Sequence, residues 1–156
     1  MDRASGEIMR TATCACGSMA ITLRGEPLTV SMCFCTRCQR RTGSFVGYSA
    51  IYDRAQLVAL PPADGAFHLP DGSTSFHFCT RCGTTLWFEP DDANEGVVGI
   101  AAGCFADPTF PMPTRVMYAA QRHPSACWSG SPVVHEGAPV SDIASVVGDG
   151  PPQQNI

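Results

Sequence analysis

The stretch Ser75-Phe76-His77-Phe78-Cys79-Thr80-Arg81-Cys82-Gly83-Thr84-Thr85-Leu86-Trp87-Phe88 decides how the rest of the chain is read. Its two ends, 75–78 and 85–88, are aromatic and β-branched runs bounded by turn formers, which is the composition of strands. Between them stands Cys-x-x-Cys-Gly, the layout of a metal knuckle. In such a turn backbone amides point at the sulfurs, and glycine takes the left-handed backbone position. A matching knuckle, Cys14-Ala15-Cys16-Gly17, leads into another strand-like run, Ala20-Ile21-Thr22-Leu23. Together Cys14, Cys16, Cys79 and Cys82 offer four thiolates, which satisfy a tetrahedral zinc completely and tie two distant parts of the chain together. A closed site of that kind has no position for a substrate and is expected to be structural. Reduced buried thiols, a disulfide pair or an iron-sulfur cluster would use the same residues, so the spacing leaves those alternatives open.

Working outward, further strands are expected at 28–30, 45–51 and 97–100. Gly (15) and Pro (13) punctuate the chain every few residues and leave room for little more than a helical turn over 36–41. The fold class is therefore all-β: one domain over 1–140 and a tail over 141–156, expected to be partly disordered. No apolar run reaches the roughly 18 residues of a membrane span. The polar opening residues lack a secretory leader, so the expected compartment is the cytoplasm. In that reducing setting nine cysteines point to metal or chemistry more than to disulfides. A net charge of −4 offers no field for phosphate backbones, which argues against nucleic acid as a partner. Monomer and homodimer are both compatible with the composition. All ten basic residues are arginines, and three of them, Arg37, Arg40 and Arg41, gather in one place.

They surround the third cysteine cluster, Cys33-Phe34-Cys35-Thr36-Arg37-Cys38. Three thiolates with no further Cys or His nearby in sequence describe a metal left one ligand short, which is how catalytic zinc is held. Zinc on three thiolates carries a formal negative charge and is a weak Lewis acid toward carbonyls. It suits a different task, holding an incoming thiol deprotonated beside an aldehyde. Arg37, Arg40 and Arg41 would clamp the carboxylates of a peptide-like thiol and offset the negative centre. A metal-free cluster flanked by a solvated arginine face uses the same residues. Cys104 and Cys127 read as buried packing thiols. His77 points away from Phe76 and Phe78, where a surface role is expected. His68, His123 and His135 carry no pattern.

With these residues in view, the sequence resembles the glutathione-dependent formaldehyde-activating enzyme family, which also includes centromere protein V. The match is the ordered set Cys14-Ala-Cys16-Gly17-Ser18, Cys33-Phe-Cys35-Thr-Arg-Cys38-Gln-Arg-Arg-Thr-Gly43-Ser44, Phe76-His-Phe78-Cys79-Thr-Arg-Cys82-Gly83-Thr84 and Gly103-Cys-Phe-Ala-Asp107-Pro108, over about residues 8 to 130. The resemblance implies a β-tent fold of short antiparallel strands. It also implies a structural zinc on Cys14, Cys16, Cys79 and Cys82, and a catalytic zinc on Cys33, Cys35 and Cys38. The implied activity is that of a carbon-sulfur lyase, adding glutathione reversibly to formaldehyde to give S-(hydroxymethyl)glutathione. The implied partner is thus a small-molecule thiol or thiol-aldehyde adduct. Two positions depart from the family pattern: Phe34 stands where histidine is common, and the run 122–127 before Trp128 has no lysine. Both bear on which thiol is taken. The alternative is a non-catalytic, zinc-stabilised module that binds glutathione or a protein, a reading that an apolar Phe34 beside an open metal would favour.

Overall fold

The computed structural model describes residues 7–62, 65–90 and 96–138. The expected tail over 141–156 lies outside the described residues. Eleven strands run in chain order: β1 (Met9–Thr13), β2 (Ala20–Arg24), β3 (Thr29–Cys33), β4 (Gly47–Asp53), β5 (Leu57–Ala59), β6 (Gly65–His68), β7 (Thr74–Phe78), β8 (Thr85–Pro90), β9 (Val97–Ala101), β10 (Arg115–Met117) and β11 (Val133–Val134). One α-helix, α1 (Thr36–Thr42), and three single 3₁₀ turns complete the described elements. The chain is mostly β-sheet, as the glycine and proline spacing requires.

The strands form two sheets, one of three strands in the order β1-β2-β5 and one of eight in the order β11-β10-β3-β4-β9-β8-β7-β6. Most neighbours are antiparallel. The exception corrects the all-antiparallel expectation: β10 runs parallel to both β3 and β11. It returns to the sheet through a long crossing connection, not a hairpin, and only such a connection allows a parallel pair.

Alternation along β1 and β2 buries Ala12, Ile21 and Leu23 completely. These residues press the small sheet onto Val30, Ala50, Tyr52, Leu86, Trp87, Val98 and Ile100 of the large one. Each fully buried aliphatic side chain stabilises the joint by about 1.5–3 kcal/mol. The other face of the large sheet carries a smaller cluster of Ile51, Leu69, Phe76 and Phe88. There the Phe88 ring lies on Gly99, where an added Cβ would meet Cζ at 2.0 Å. Glycine in mid-strand is needed for that close approach.

Both faces of β7 are therefore covered, and this overturns the surface role expected for His77. Its ring is buried, stacks on Trp87 at 4.7 Å and lies 3.1 Å from Glu89 through Nε2. Phe34 is likewise core, wholly buried with Met32, Val116 and Trp128.

Candidate metal centres

The first cluster is built by two turns of the same design. In the β1–β2 turn Cys14 N–H donates to Met19 O at 3.0 Å and Gly17 N–H to Cys14 O at 2.9 Å. In the β7–β8 turn Cys79 N–H donates to Thr84 O at 3.0 Å and Gly83 N–H to Cys79 O at 2.7 Å. Gly17 and Gly83 have φ of +78° and +77°, the left-handed position expected of them. The four sulfurs lie within 4.8 Å of one another, with Cys14 Sγ–Cys16 Sγ at 3.6 Å and Cys16 Sγ–Cys79 Sγ at 3.7 Å. A tetrahedral ion with metal–sulfur bonds of zinc length requires about 3.8 Å between sulfurs, so the donor set fits such an ion.

Two residues around this cluster had no role in the sequence reading beyond their place in the motif. Ser18 Oγ lies 3.0 Å from Cys16 Sγ and 3.3 Å from Cys79 Sγ. Thr84 Oγ1 lies 3.3 Å from Cys82 Sγ and accepts from Ala15 N–H at 3.1 Å. These hydroxyls and amides stabilise thiolate charge. Thr84, through its hydroxyl and its N–H, holds Cys82 down to about 5. Burial pushes Cys14 up, but Met19 N–H, Ser18 Oγ and the neighbouring thiols outweigh it and bring Cys14 to about 7. The small polar residue directly after each knuckle glycine was the available signal.

The second cluster forms where β3 runs into α1. Cys33 ends the strand, and Cys35 is the helix N-cap, its sulfur accepting from Cys38 N–H at 3.3 Å. Cys38 comes one turn later, and Gly43, with φ +65°, ends the helix. The three sulfurs lie within 4.8 Å of one another, and among the described residues no His, Asp or Glu joins them. Hydrogen bonds from Cys33 and Cys38 lower the Cys35 thiol to about 3. The bond to Cys35, that to Cys38 and burial raise Cys33 far above the ordinary thiol range. Cys38 is lowered by its bond to Cys33, but Cys35 and burial prevail and push it up to about 11. A bound metal ion would let all three ionise.

Of the arginines, Arg41 is brought against this cluster. Its guanidinium lies over Phe76 at 4.4 Å and lowers Cys38 electrostatically. Gly47 leaves room for both groups, since a Cβ there would sit 3.3 Å from Cys38 Sγ and 3.7 Å from Arg41 Nη2. Arg37 pairs with Asp71 at 3.5 Å, tying α1 to the β6–β7 turn. Arg40 is exposed and lines a separate surface hollow with Gln39, Gly43, Ser44 and Phe45.

Of the two remaining cysteines, both expected to be buried packing thiols, Cys104 does pack against the main core cluster, and Cys127 departs from that role. Cys127 is exposed. Cys104 is half-buried beside Cys14 and Thr84 in a hollow at the first cluster, where burial, then the charges of Cys14 and Cys82, push its thiol up to about 11. Ahead of Trp128, where the family's lysine is absent, Arg122 lies over the indole at 5.6 Å and donates to Ala126 O at 2.6 Å.

Fold and sites together define a small β-sheet domain carrying two cysteine clusters able to hold metal, one with four sulfurs and one with three. The chain belongs to the glutathione-dependent formaldehyde-activating enzyme family, whose sequence profile matches residues 9–121. Among solved structures, a crystal structure of a Rhodobacter sphaeroides protein superposes with a TM-score of 0.49 at 20% identity, covering 63% of this chain and 91% of that one. No curated protein matches in sequence. Among the described residues no helix is long and apolar enough to cross a membrane.

Proposed function

We propose that the chain is a zinc-dependent carbon-sulfur lyase acting on a thiol-aldehyde adduct, with formation and cleavage of S-(hydroxymethyl)glutathione as the reaction its family name suggests. One observation carries the reading: three sulfurs converge within 4.8 Å with no fourth protein ligand among the described residues, while the other cluster is complete. A zinc ion held by Cys33, Cys35 and Cys38 would supply a position at which an incoming thiol is kept deprotonated.

The chain's own groups do the rest. Cys33, buried at the end of β3, and Cys38, against Gly47, fix the sulfur triangle from two sides. Arg41 places a permanent positive charge beside it, offsetting the excess negative charge and attracting an anionic thiol. In the synthetic direction the thiolate sulfur attacks the carbonyl carbon and a C–S bond forms. The carbonyl π pair passes to oxygen, which takes up a proton; cleavage is the reverse. Cys14, Cys16, Cys79 and Cys82 would hold a second, structural zinc. Nine free cysteines suit a reducing cytoplasm, and residues 1–140 are assigned to one domain. Arg37 and Arg40 are assigned to carboxylate binding with Arg41. The non-catalytic alternative drew its support from Phe34, which lies in the core and gives it none.

The test is the rate of S-(hydroxymethyl)glutathione formation, with a small panel of other thiol-aldehyde adducts, for wild type and Cys35→Ser. Catalysis of at least one adduct by wild type, lost in the variant, is expected. Uncatalysed rates throughout would end the enzymatic reading.

A further inference from the structure

Arg41 follows Cys38 by about one helical turn, so the two side chains leave α1 on the same side. Both come to Gly47 on β4, where Cys38 Sγ lies 3.3 Å and Arg41 Nη2 3.7 Å from the position a Cβ would take. The guanidinium is therefore a neighbour of the sulfur triangle and not a distant charge. Packing holds it there. Its carbon lies over the Phe76 ring, 4.4 Å from the centroid, and Phe76 is buried against Phe88. Arg41 is half-buried, and its Nε is buried with no hydrogen-bond partner among the described residues. No ion pair among those residues includes it, whereas Arg10, Arg37 and Arg54 each meet a carboxylate. A guanidinium that is always charged, partly desolvated and seated on a ring is a preset donor for an oxygen that becomes negative.

We propose that Arg41, seated on Phe76, is a catalytic residue that donates to the aldehyde oxygen as the C–S bond forms. This rests on the thiol chemistry proposed for Cys33, Cys35 and Cys38, and it gives Arg41 a nearer task than the carboxylates, which fall to the other arginines of α1. Distance decides between the two tasks. In a thiol-aldehyde adduct the oxygen and the sulfur are bonded to one carbon, so the oxygen comes wherever the sulfur goes. The carboxylates of glutathione lie beyond a peptide linkage and reach past a charge that adjoins the sulfurs. As the thiolate sulfur attacks the carbonyl carbon, the carbonyl π pair moves to oxygen. Arg41 meets that negative charge with an N–H and keeps its proton, since a guanidinium does not give one up. Water supplies the proton that completes the hydroxyl, and in cleavage it takes that proton back while the C–S pair returns to sulfur. Phe76 is the positioning residue, its ring face holding the guanidinium beside Cys38. A purely structural contact between α1 and β7 would change zinc content or melting temperature without separating turnover from thiol binding.

Steady-state kinetics with formaldehyde and calorimetry with the free thiol, both on zinc-loaded protein, distinguish these roles. The thiol is glutathione or, where another thiol of the panel reacts faster, that one. Arg41→Gln is expected to lower kcat by about a hundredfold or more, the scale of one lost oxyanion donor. The Kd of the free thiol, which carries no such oxygen, stays within about threefold, because the lost interaction exists only once the bond is forming. Phe76→Leu, which keeps the charge and removes its seat, lowers kcat several-fold with the same unchanged Kd, and it decides the matter if Arg41→Gln does not fold or hold its metal. A Kd that weakens in step with the rate returns Arg41 to binding the thiol's own charges and overturns the oxyanion role, as does an unchanged kcat; either leaves the thiol reading standing. No acceleration by wild type with any thiol of the panel overturns the lyase reading and this role together.

Discussion

Gly47 has no motif around it, yet an added Cβ there would sit 3.0 Å from Cys38 Cβ and 3.3 Å from its sulfur. That is tighter than most packed carbons show, so Gly47→Ala pushes Cys38 by a few tenths of an ångström within the sulfur triangle. The expected result is that bound zinc falls from about two per chain toward one, with a shift of only a few degrees in melting temperature. Gly99→Ala should do the opposite. Its Cβ would enter the Phe88 ring, an overpacking that costs about 1–3 kcal/mol, while both clusters keep their metal. Metal analysis beside a thermal melt checks the pair, and loss of zinc from Gly99→Ala instead would contradict it. Single residues were also where the sequence misled. Phe34 and His77 sit within or beside cysteine motifs, and spacing cannot tell which face of a strand is covered. That depends on Trp128 and on Trp87 and Glu89 respectively, which arrive from elsewhere in the chain.

At the scale of elements, the strand-knuckle-strand unit at 75–88 and the helical turn at 36–41 were legible because their patterns are local. Observed β7, β8 and α1 match them to within a residue or two. β10 and β11 were not legible. They are three and two residues long and form by parallel pairing of β10 with β3 and of β11 with β10, long-range events without local periodicity. The connection leading to β10 is pinned by charge. Arg10 on β1 donates to both carboxylate oxygens of Glu26 at 3.0 and 2.8 Å, and to Asp107 at 3.0 Å. The Thr109 hydroxyl and N–H, followed by Arg10, hold Asp107 below the usual carboxylate range. Because the folded group is the stronger acid, the unfolded chain binds more protons at low pH. The stabilisation is complete above the ordinary aspartate value, about 3.9, and is lost as pH falls from there through the lower value of the folded group. Wild type should therefore melt above Asp107→Asn at pH 7, and the gap should shrink as pH approaches 3. Metal loss in acid affects both proteins, so the difference between their melts isolates Asp107, and a constant gap would assign the effect elsewhere.

At the scale of the molecule, the two clusters occupy unlike places in the fold, and the order of cysteines along the chain already showed it. Cys33, Cys35 and Cys38 close a loop of a few residues within one strand-helix junction. The other four join the β1–β2 turn of the small sheet to the β7–β8 turn of the large one, with Cys16 and Cys79 63 positions apart. Which sheet each turn belongs to was beyond the sequence, because it depends on pairings such as β2 with β5. That topology makes the four-sulfur site a clamp between sheets that otherwise meet through the apolar residues around Ile21 and Leu23. Under the proposed metal content, a structural zinc contributes on the order of 10 kcal/mol, comparable to the whole net stability of a domain, about 5–15 kcal/mol. Cys79→Ala should consequently be largely unfolded near physiological temperature. Cys35→Ala, which breaks a local loop with little sequence separation to close, should keep its fold and melt within several degrees of wild type while losing lyase activity. Chelator added in steps should likewise strip one zinc and the activity first, and unfold the protein only as the second leaves. Circular dichroism recorded alongside zinc release follows both events, and equal melting temperatures for Cys79→Ala and Cys35→Ala would mean that the two metals do not divide the work in this way.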